Sequence, residues 1–170
     1  MTTSNQSSPP VSFPLLPAIL VGGLAAGILD GASAFHTFGW RMPYGIASGL
    51  LGAKANPAAG AGPGVWALGL ACHFLIAFAA AAIYGLASRR WNFLRDYFLL
   101  GGVIGGIAVW MVMNLVVLPL SAVPFPVGPF SVEALRWGLG YHLVLVGWPI
   151  SISLWFFARR AARQAARASR

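Results

Sequence analysis

The chain has 170 residues, of which 58% are hydrophobic and only 8% are charged, and its mean hydropathy is +0.76. About a quarter of the residues of a soluble domain are charged, so this composition excludes an ordinary soluble fold and indicates an integral membrane protein. The formal net charge of +8 does not indicate nucleic-acid binding, because the basic residues stand at the ends of apolar runs and in loops. The single cysteine, Cys72, excludes a disulfide framework and a cysteine-based zinc site.

The first residues, MTTSNQSSPP, are polar and uncharged, and we expect a disordered tail over residues 1–12. The motif ASA at 32–34 resembles a signal-peptide cleavage site. However, the chain lacks the positive start of a secretory signal, and Asp30 interrupts the approach to the motif. We therefore interpret the first apolar run as an uncleaved anchor.

Four apolar runs are long enough to cross about 30 Å of hydrocarbon, which takes about 20 helical residues. This pattern predicts an all-α membrane protein with a four-transmembrane-helix bundle over residues 13–157, followed by a basic tail over 158–170. The spans are predicted near residues 13–35, 65–88, 97–119 and 132–157.

The loops after the first and third spans are apolar and rich in glycine and proline. In the first loop, YGIASGLLGAKA (44–55) is too short to span a membrane, and we expect a short helix that lies in the interface or dips back into the bundle. In the second loop, PLSAVPFPVGPF (119–130) carries no charge, and we expect it to pack across the outer end of the bundle.

Arginines set the expected orientation. Arg89, Arg90 and Arg95 lie between the second and third spans, and five more arginines follow the fourth span. The positive-inside rule then places both termini and the loop at 89–96 in the cytoplasm. The arginines of the tail also suit anionic lipid headgroups. They are Arg159, Arg160, Arg163, Arg167 and Arg170.

Small residues predict how the helices pack, because lipid supplies no hydrophobic drive between them. The first span has Gly23, Gly27 and Gly31 at four-residue spacing, and the third span has two glycine pairs at 101–102 and 105–106. These stripes fit an intramolecular four-helix bundle or a homo-oligomeric contact, and the sequence leaves both open.

Four polar residues at membrane depth, one from each span, are candidates for a site: Asp30, His73, Asn114 and His142. From the predicted topology and a rise of 1.5 Å per residue, all four lie roughly 8–15 Å below the outer interface. Polar groups are costly in lipid, so we expect a polar cluster in the outer half of the bundle. An unpaired carboxylate at this depth would be protonated or would need a partner, and the candidate partners of Asp30 are His73, His142 and Arg41.

Several readings of this cluster stay open. Asp30, His73 and His142 could be titratable groups along an ion or proton pathway, or polar residues that stabilise the packing of the helices. Two imidazoles and a carboxylate could bind a metal, and two facing histidines could bind haem, but no tight ligand motif supports either, and no cofactor is predicted. No nucleophile–base arrangement or phosphate-binding loop indicates an enzyme.

Five segments resemble an uncharacterised family of small bacterial four-helix inner-membrane proteins, and the resemblance extends over most of residues 20–150. They are ILDGASAF, IASGLLGAKA, LGLACHFLIAFAAAAIYGLASR, MNLVVLPLSA and GWPI. A more distant similarity connects the chain to YagU-like membrane proteins, which are linked to acid resistance. The resemblance implies a multi-pass protein of the bacterial inner membrane. It places Asp30, Ser48, His73 and Asn114 in recognisable segments and implies no activity.

The leading functional hypothesis is transport of a small solute, an ion or protons through the polar cluster. The alternative is an accessory or scaffold subunit that binds a larger membrane complex through its glycine faces and outer loops. A haem- or metal-binding redox protein is the third hypothesis. The expected partners are membrane lipids and either further copies of the chain or a larger complex, with no nucleic acid.

Overall fold

The computed structural model describes residues 13–170, so the tail predicted over 1–12 lies outside the described residues. Helices and loops make up this part of the chain, and no strand is present in it. The helices are α1 (Leu15–Phe38), α2 (Met42–Leu51), α3 (Pro63–Arg90), α4 (Phe93–Asp96), α5 (Phe98–Val112), α6 (Leu118–Leu120), α7 (Val132–Tyr141) and α8 (Trp148–Ala168).

Four helices are long and apolar enough to cross a membrane, which confirms the prediction of an all-α chain with four candidate spans. The first candidate span begins with helix α1, and the second candidate span is α3. The third span runs over Phe98–Leu120, and the fourth runs over Val132–Ala168 and includes most of the basic tail. At one end of the bundle, here called the loop end, lie residues 39–62 and 121–131. At the opposite end, here called the arginine end, lie residues 89–97 and the last turns of α8.

Two π-helical segments interrupt the third and fourth spans. Met113–Val117 joins α5 to α6, and His142–Gly147 joins α7 to α8. Each segment ends two residues before a proline, Pro119 or Pro149. A proline lacks an N–H group and its ring collides with the carbonyl four residues earlier, and a wider helical turn relieves that collision. The prolines therefore explain where both interruptions occur.

Close backbone approach joins the third and fourth spans. A β-carbon at Gly106 would lie 2.6 Å from Cα of Leu143, and one at Gly147 would overlap the carbonyl oxygen of Gly102. Only glycine at these positions lets the two backbones lie this close, and the resulting van der Waals contact is what holds helices together in lipid.

The predicted glycine stripe of the first span packs against α3 within the same chain. A β-carbon at Gly27 would lie 2.7 Å from the ring of Phe74, and one at Gly31 would lie 3.0 Å from Nε2 of His73. The opposite side of α1 packs on α8, where the hydroxyl of Ser153 donates a 2.8 Å hydrogen bond to the carbonyl of Ala18. Helix α1 is thus held between α3 and the fourth span.

Helices α3 and α5 make few direct backbone contacts. Near the arginine end, the side chain of Tyr84 on α3 fills the space against Gly101 and Gly105 of α5, and its hydroxyl donates to the carbonyl of Leu94 at 2.8 Å. The main hydrophobic core lies in this half of the bundle, around the fully buried Leu154. Toward the loop end, the gap between α3 and the third span stays open.

Helix α2 closes the loop end of this gap. The carbonyl of Pro43 lies against Gly69 of α3, where a β-carbon would overlap it. At the other end of α2, the amide of Ala122 donates a 2.8 Å hydrogen bond to the carbonyl of Gly49. The short helix therefore bridges from α3 to the end of the third span, with one side buried against the bundle.

We expect that Gly147→Val lowers the free energy of unfolding by about 3 kcal/mol, the upper end of the usual cost of overpacking, because no rotamer relieves overlap with backbone. Thermal unfolding in detergent, followed by circular dichroism, measures the change. Gly140→Val is the matched control, since a β-carbon at Gly140 meets no other atom within 4 Å. Equal losses in the two variants would show that the crossing at Gly147 does not limit stability.

Candidate functional site

A cavity of about 670 Å³ lies at the loop end, in the gap between α3 and the third span. All four spans contribute to its lining, and α2 covers it. Its deepest residues, such as Ala26 and Val109, stand near the middle of their helices, so the cavity reaches about half-way down the bundle. The lining is predominantly apolar.

Five polar side chains line the cavity: Asp30, Arg41, His73, Ser121 and His142. Three of them belong to the four polar residues that the sequence predicts as a cluster, and Arg41 is the residue predicted as a partner of Asp30. They come from α1, the turn after it, α3, the residue that follows the third span and the fourth span. The structure thus places polar groups that are distant in sequence around one space.

Asn114, the fourth member of the predicted cluster, is not among the residues that line the cavity. Its amide group donates a 2.9 Å hydrogen bond to the carbonyl of Trp110, one turn earlier in the same span. Its neighbour Met113 lines the cavity instead. Successive helical residues point about 100° apart, so a change of one position decides which side chain reaches the cavity.

His73 is 8% exposed and joins α3 to α1 through a hydrogen bond of 2.8 Å between Nε2 and the carbonyl oxygen of Gly27. A carbonyl oxygen only accepts, so Nε2 carries the proton and Nδ1 of the neutral ring keeps a lone pair. Gly31 makes room for the imidazole, because a side chain there would press against Nε2. The glycine stripe of α1 therefore has a second role, which is to admit this histidine.

His142 stands at the first residue of the second π-helical segment. Its Nδ1 lies 2.8 Å from the carbonyl oxygen of Gly138 in the same span. By the same argument, Nδ1 carries the proton and Nε2 keeps the lone pair. Asn114 makes the corresponding bond at the start of the first π-helical segment, so both polar residues satisfy a carbonyl of their own helix where the regular hydrogen-bond pattern changes.

Asp30 is half-buried on α1 and faces the cavity, whereas Arg41 lies at an exposed position at the loop end. Over residues 13–170, the ion pair between Arg95 and Asp96 is the only one with nitrogen and oxygen within 4.0 Å. The predicted partnership of Asp30 with Arg41 or with a histidine is therefore not formed as an ion pair. The carboxylate is left as an acceptor that a ligand can use.

In the part of the chain that the structure describes, no group of three or more His, Cys, Asp and Glu side chains could hold a metal ion together. His73 and His142 each use one ring nitrogen in a bond to a backbone carbonyl. The other nitrogen of each ring stays able to ligate, as in most metal-binding histidines, so these bonds do not count against the haem reading. A metal site of three protein ligands is not found in the described residues.

The tail arginines surround two shallow grooves at the arginine end. One groove lies beside Trp155 and Phe156 and is lined by Arg159, Arg160, Arg163 and Arg167. The other is shared with Asn92 and Arg95. The guanidinium of Arg159 stands 5.1 Å from the ring centroid of Trp155, an arrangement that suits the boundary between lipid tails and headgroups. Lipid-headgroup binding by these residues stays a prediction.

Comparisons with protein-family models, with curated proteins and with solved structures give no match. The resemblance to small bacterial four-helix inner-membrane proteins therefore stays a prediction, and function has to be inferred from the cavity and its residues.

The sequence did not indicate that α2 covers a cavity or that Tyr84 separates α3 from α5. One usable signal is the spacing of Gly45 and Gly49, which both line the cavity from α2 at positions four residues apart. A second signal is the pair of prolines at 119 and 149, each preceded by a polar residue five to seven positions earlier. Tyr84 has no such signal, because a tyrosine within a span is equally compatible with a lipid-facing position.

We expect that His73→Leu lowers the free energy of unfolding by about 1 kcal/mol, because it removes the hydrogen bond that joins α3 to α1. Reversible unfolding in mixed micelles measures the loss. His73→Gln retains an N–H donor and should lose less. The control is His36→Leu at the exposed end of α1, which should leave stability unchanged. A His73→Leu protein as stable as the wild type would contradict a stabilising role for this bond.

Proposed function

We propose that the chain is a membrane transport protein that takes up a small amphipathic solute in the cavity at the loop end. The observation that supports this proposal is the composition of the cavity: all four spans line it, and its few polar groups stand within a predominantly apolar surface. Binding sites for small molecules have this character, and 670 Å³ lies within their usual range of about 300–1,000 Å³.

The same geometry favours a solute over a continuous path for ions or protons. Below the cavity, the tightly packed core around Ala18, Ala81 and Leu154 is fully buried. The polar lining residues stand above this core, toward the loop end. Transport in this proposal therefore requires a movement of the helices that exposes the bound solute to the other side, as in alternating access.

We further propose that the loop end faces away from the cytoplasm and that both termini are cytoplasmic, in a bacterial inner membrane. The support is the distribution of basic residues. Arg89, Arg90 and Arg95 stand at the arginine end with the five tail arginines, whereas the loop end carries only Arg41 and Lys54, with Arg136 in the adjoining helix α7. Loops rich in arginine and lysine are retained on the cytoplasmic side.

The test of the transport proposal is uptake by proteoliposomes of three labelled solutes that cross lipid slowly: an aromatic quaternary ammonium, an aromatic sulfonate and a neutral aromatic glycoside. We expect at least one to enter faster than into empty liposomes. Gly45→Leu should reduce that uptake by at least about tenfold, a loss of about 1.4 kcal/mol of binding free energy, because the side chain occupies the cavity. Gly45 lines the cavity, and a β-carbon there meets no atom within 4 Å, so folding should tolerate the change.

The matched control is Gly140→Leu. Gly140 is also a helical glycine with open space around a β-carbon, and it does not line the cavity. Uptake by this variant should equal that of the wild type. If no solute enters faster than into empty liposomes, the transport proposal is wrong, and co-purification of a stoichiometric partner in mild detergent would then favour the accessory-subunit alternative.

A further inference from the structure

The hydrogen bonds of the two histidines determine which kind of polar group the cavity can receive. Nε2 of His73 donates to Gly27, and Nδ1 of His142 donates to Gly138. The nitrogens left over, Nδ1 of His73 and Nε2 of His142, are acceptors in the neutral rings. Within the described residues, no buried side-chain nitrogen or oxygen lacks a partner, so a ring nitrogen with no protein partner must be accessible.

The carboxylate of Asp30 adds acceptors of the same kind. It lines the cavity without an ion-pair partner, while Arg41 stands at the exposed mouth. The deeper polar groups are therefore two imidazole nitrogens that accept hydrogen bonds and a carboxyl group, to which a cationic ligand would supply the counter-ion that it lacks. A ligand that satisfies them carries hydrogen-bond donors and a positive charge, which a protonated amine supplies and a carboxylate or a ketone does not.

The apolar part of the lining indicates the rest of the ligand. Ile76 and Ala80 of α3 face the cavity on one side, and Val109, Met113 and Val117 of the third span face it on the other. Helices α3 and α5 make few direct contacts, so these apolar side chains line a gap between the two helices. This gap can hold the apolar body of a ligand.

We propose that the cavity binds an apolar molecule that carries a protonated amine, with Asp30 as its counter-ion and the free nitrogens of His73 and His142 as acceptors. The proposal names the substrate class of the transport site and so rests on the function proposed above. The apolar body lies between α3 and the third span. Arg41 at the mouth competes with the amine for Asp30 and opposes its approach.

The experiment compares three ligands with one tricyclic aromatic body and one propyl arm, which ends in a primary amine, a neutral primary amide or a carboxylate. Equilibrium binding to the full chain in lipid nanodiscs is measured for each, and binding to empty nanodiscs is subtracted. We expect the amine to bind at least about tenfold more tightly than the amide, since only the amine gains the attraction of Asp30. This comparison in the wild type does not depend on any variant.

Two substitutions should then act in opposite directions. Asp30→Asn keeps the shape of the side chain and should weaken amine binding by about tenfold while it leaves amide binding unchanged. Arg41→Gln removes a positive charge at an exposed position and should strengthen amine binding by about threefold. Circular dichroism and the thermal midpoint verify that both variants are folded.

Three results would overturn the inference. They are equal binding of amine and amide, an Asp30→Asn protein that binds the amine as tightly as the wild type, and preferential binding of the carboxylate that is lost in Arg41→Gln. Binding of the amide alone would leave the cavity as a solute site of another class, so failure of this inference can be distinguished from failure of the transport proposal. Conversely, selective amine binding without uptake would support the inference and contradict transport.

Discussion

Close contact through glycine is the constraint on which the rest of this bundle depends. Lipid tails give apolar helices no reason to associate, so helices that stay together must touch over a large area. Here Gly106 and Gly147 bring the third and fourth spans into backbone contact, and Gly27 and Gly31 bring α1 against α3. Helices α3 and α5 meet instead through the side chain of Tyr84 against Gly101 and Gly105, and the gap that they leave toward the loop end becomes the cavity.

The space that remains is shaped by residues at its two ends. Tyr84 fills the gap near the arginine end, where its ring takes the place that a direct helix contact would occupy. Helix α2 closes the loop end by bridging from Gly69 to Ala122. The bundle therefore has a packed core in one half and a covered cavity in the other, and a solute bound there would be separated from the arginine end by the core.

The polar residues of the cavity have structural and chemical roles that are not alternatives. His73 uses Nε2 to hold α3 on α1, and that bond fixes the tautomer that leaves Nδ1 as an acceptor. His142 does the same within the fourth span. A histidine that stabilises the fold is thereby also oriented for a ligand. Each of the two histidines can therefore be a packing residue and a site residue at once, two roles that the sequence presented as alternatives.

The four helices could be predicted because the thickness of the bilayer fixes the length of an apolar run. The common depth predicted for Asp30, His73 and His142 rests on the same rule, since rise per residue is constant along a helix. Asn114 is the instructive exception. Its predicted phase placed it on the side of Trp110 and Gly106, and its amide does bond to Trp110, but it is Met113 that lines the cavity.

The sequence by itself determined the class of protein and the number of apolar helices, and it predicted a common level for the polar groups, because each depends only on composition and on distance along one helix. The tertiary structure decided which of those groups share a space, that Asp30 is left without an ion pair, and that α2 covers the cavity. These features depend on how each helix is rotated about its axis relative to its neighbours. Glycine contacts between distant segments set that rotation, and the π-helical turns before Pro119 and Pro149 change it locally. A pattern read along one helix contains no information on that rotation.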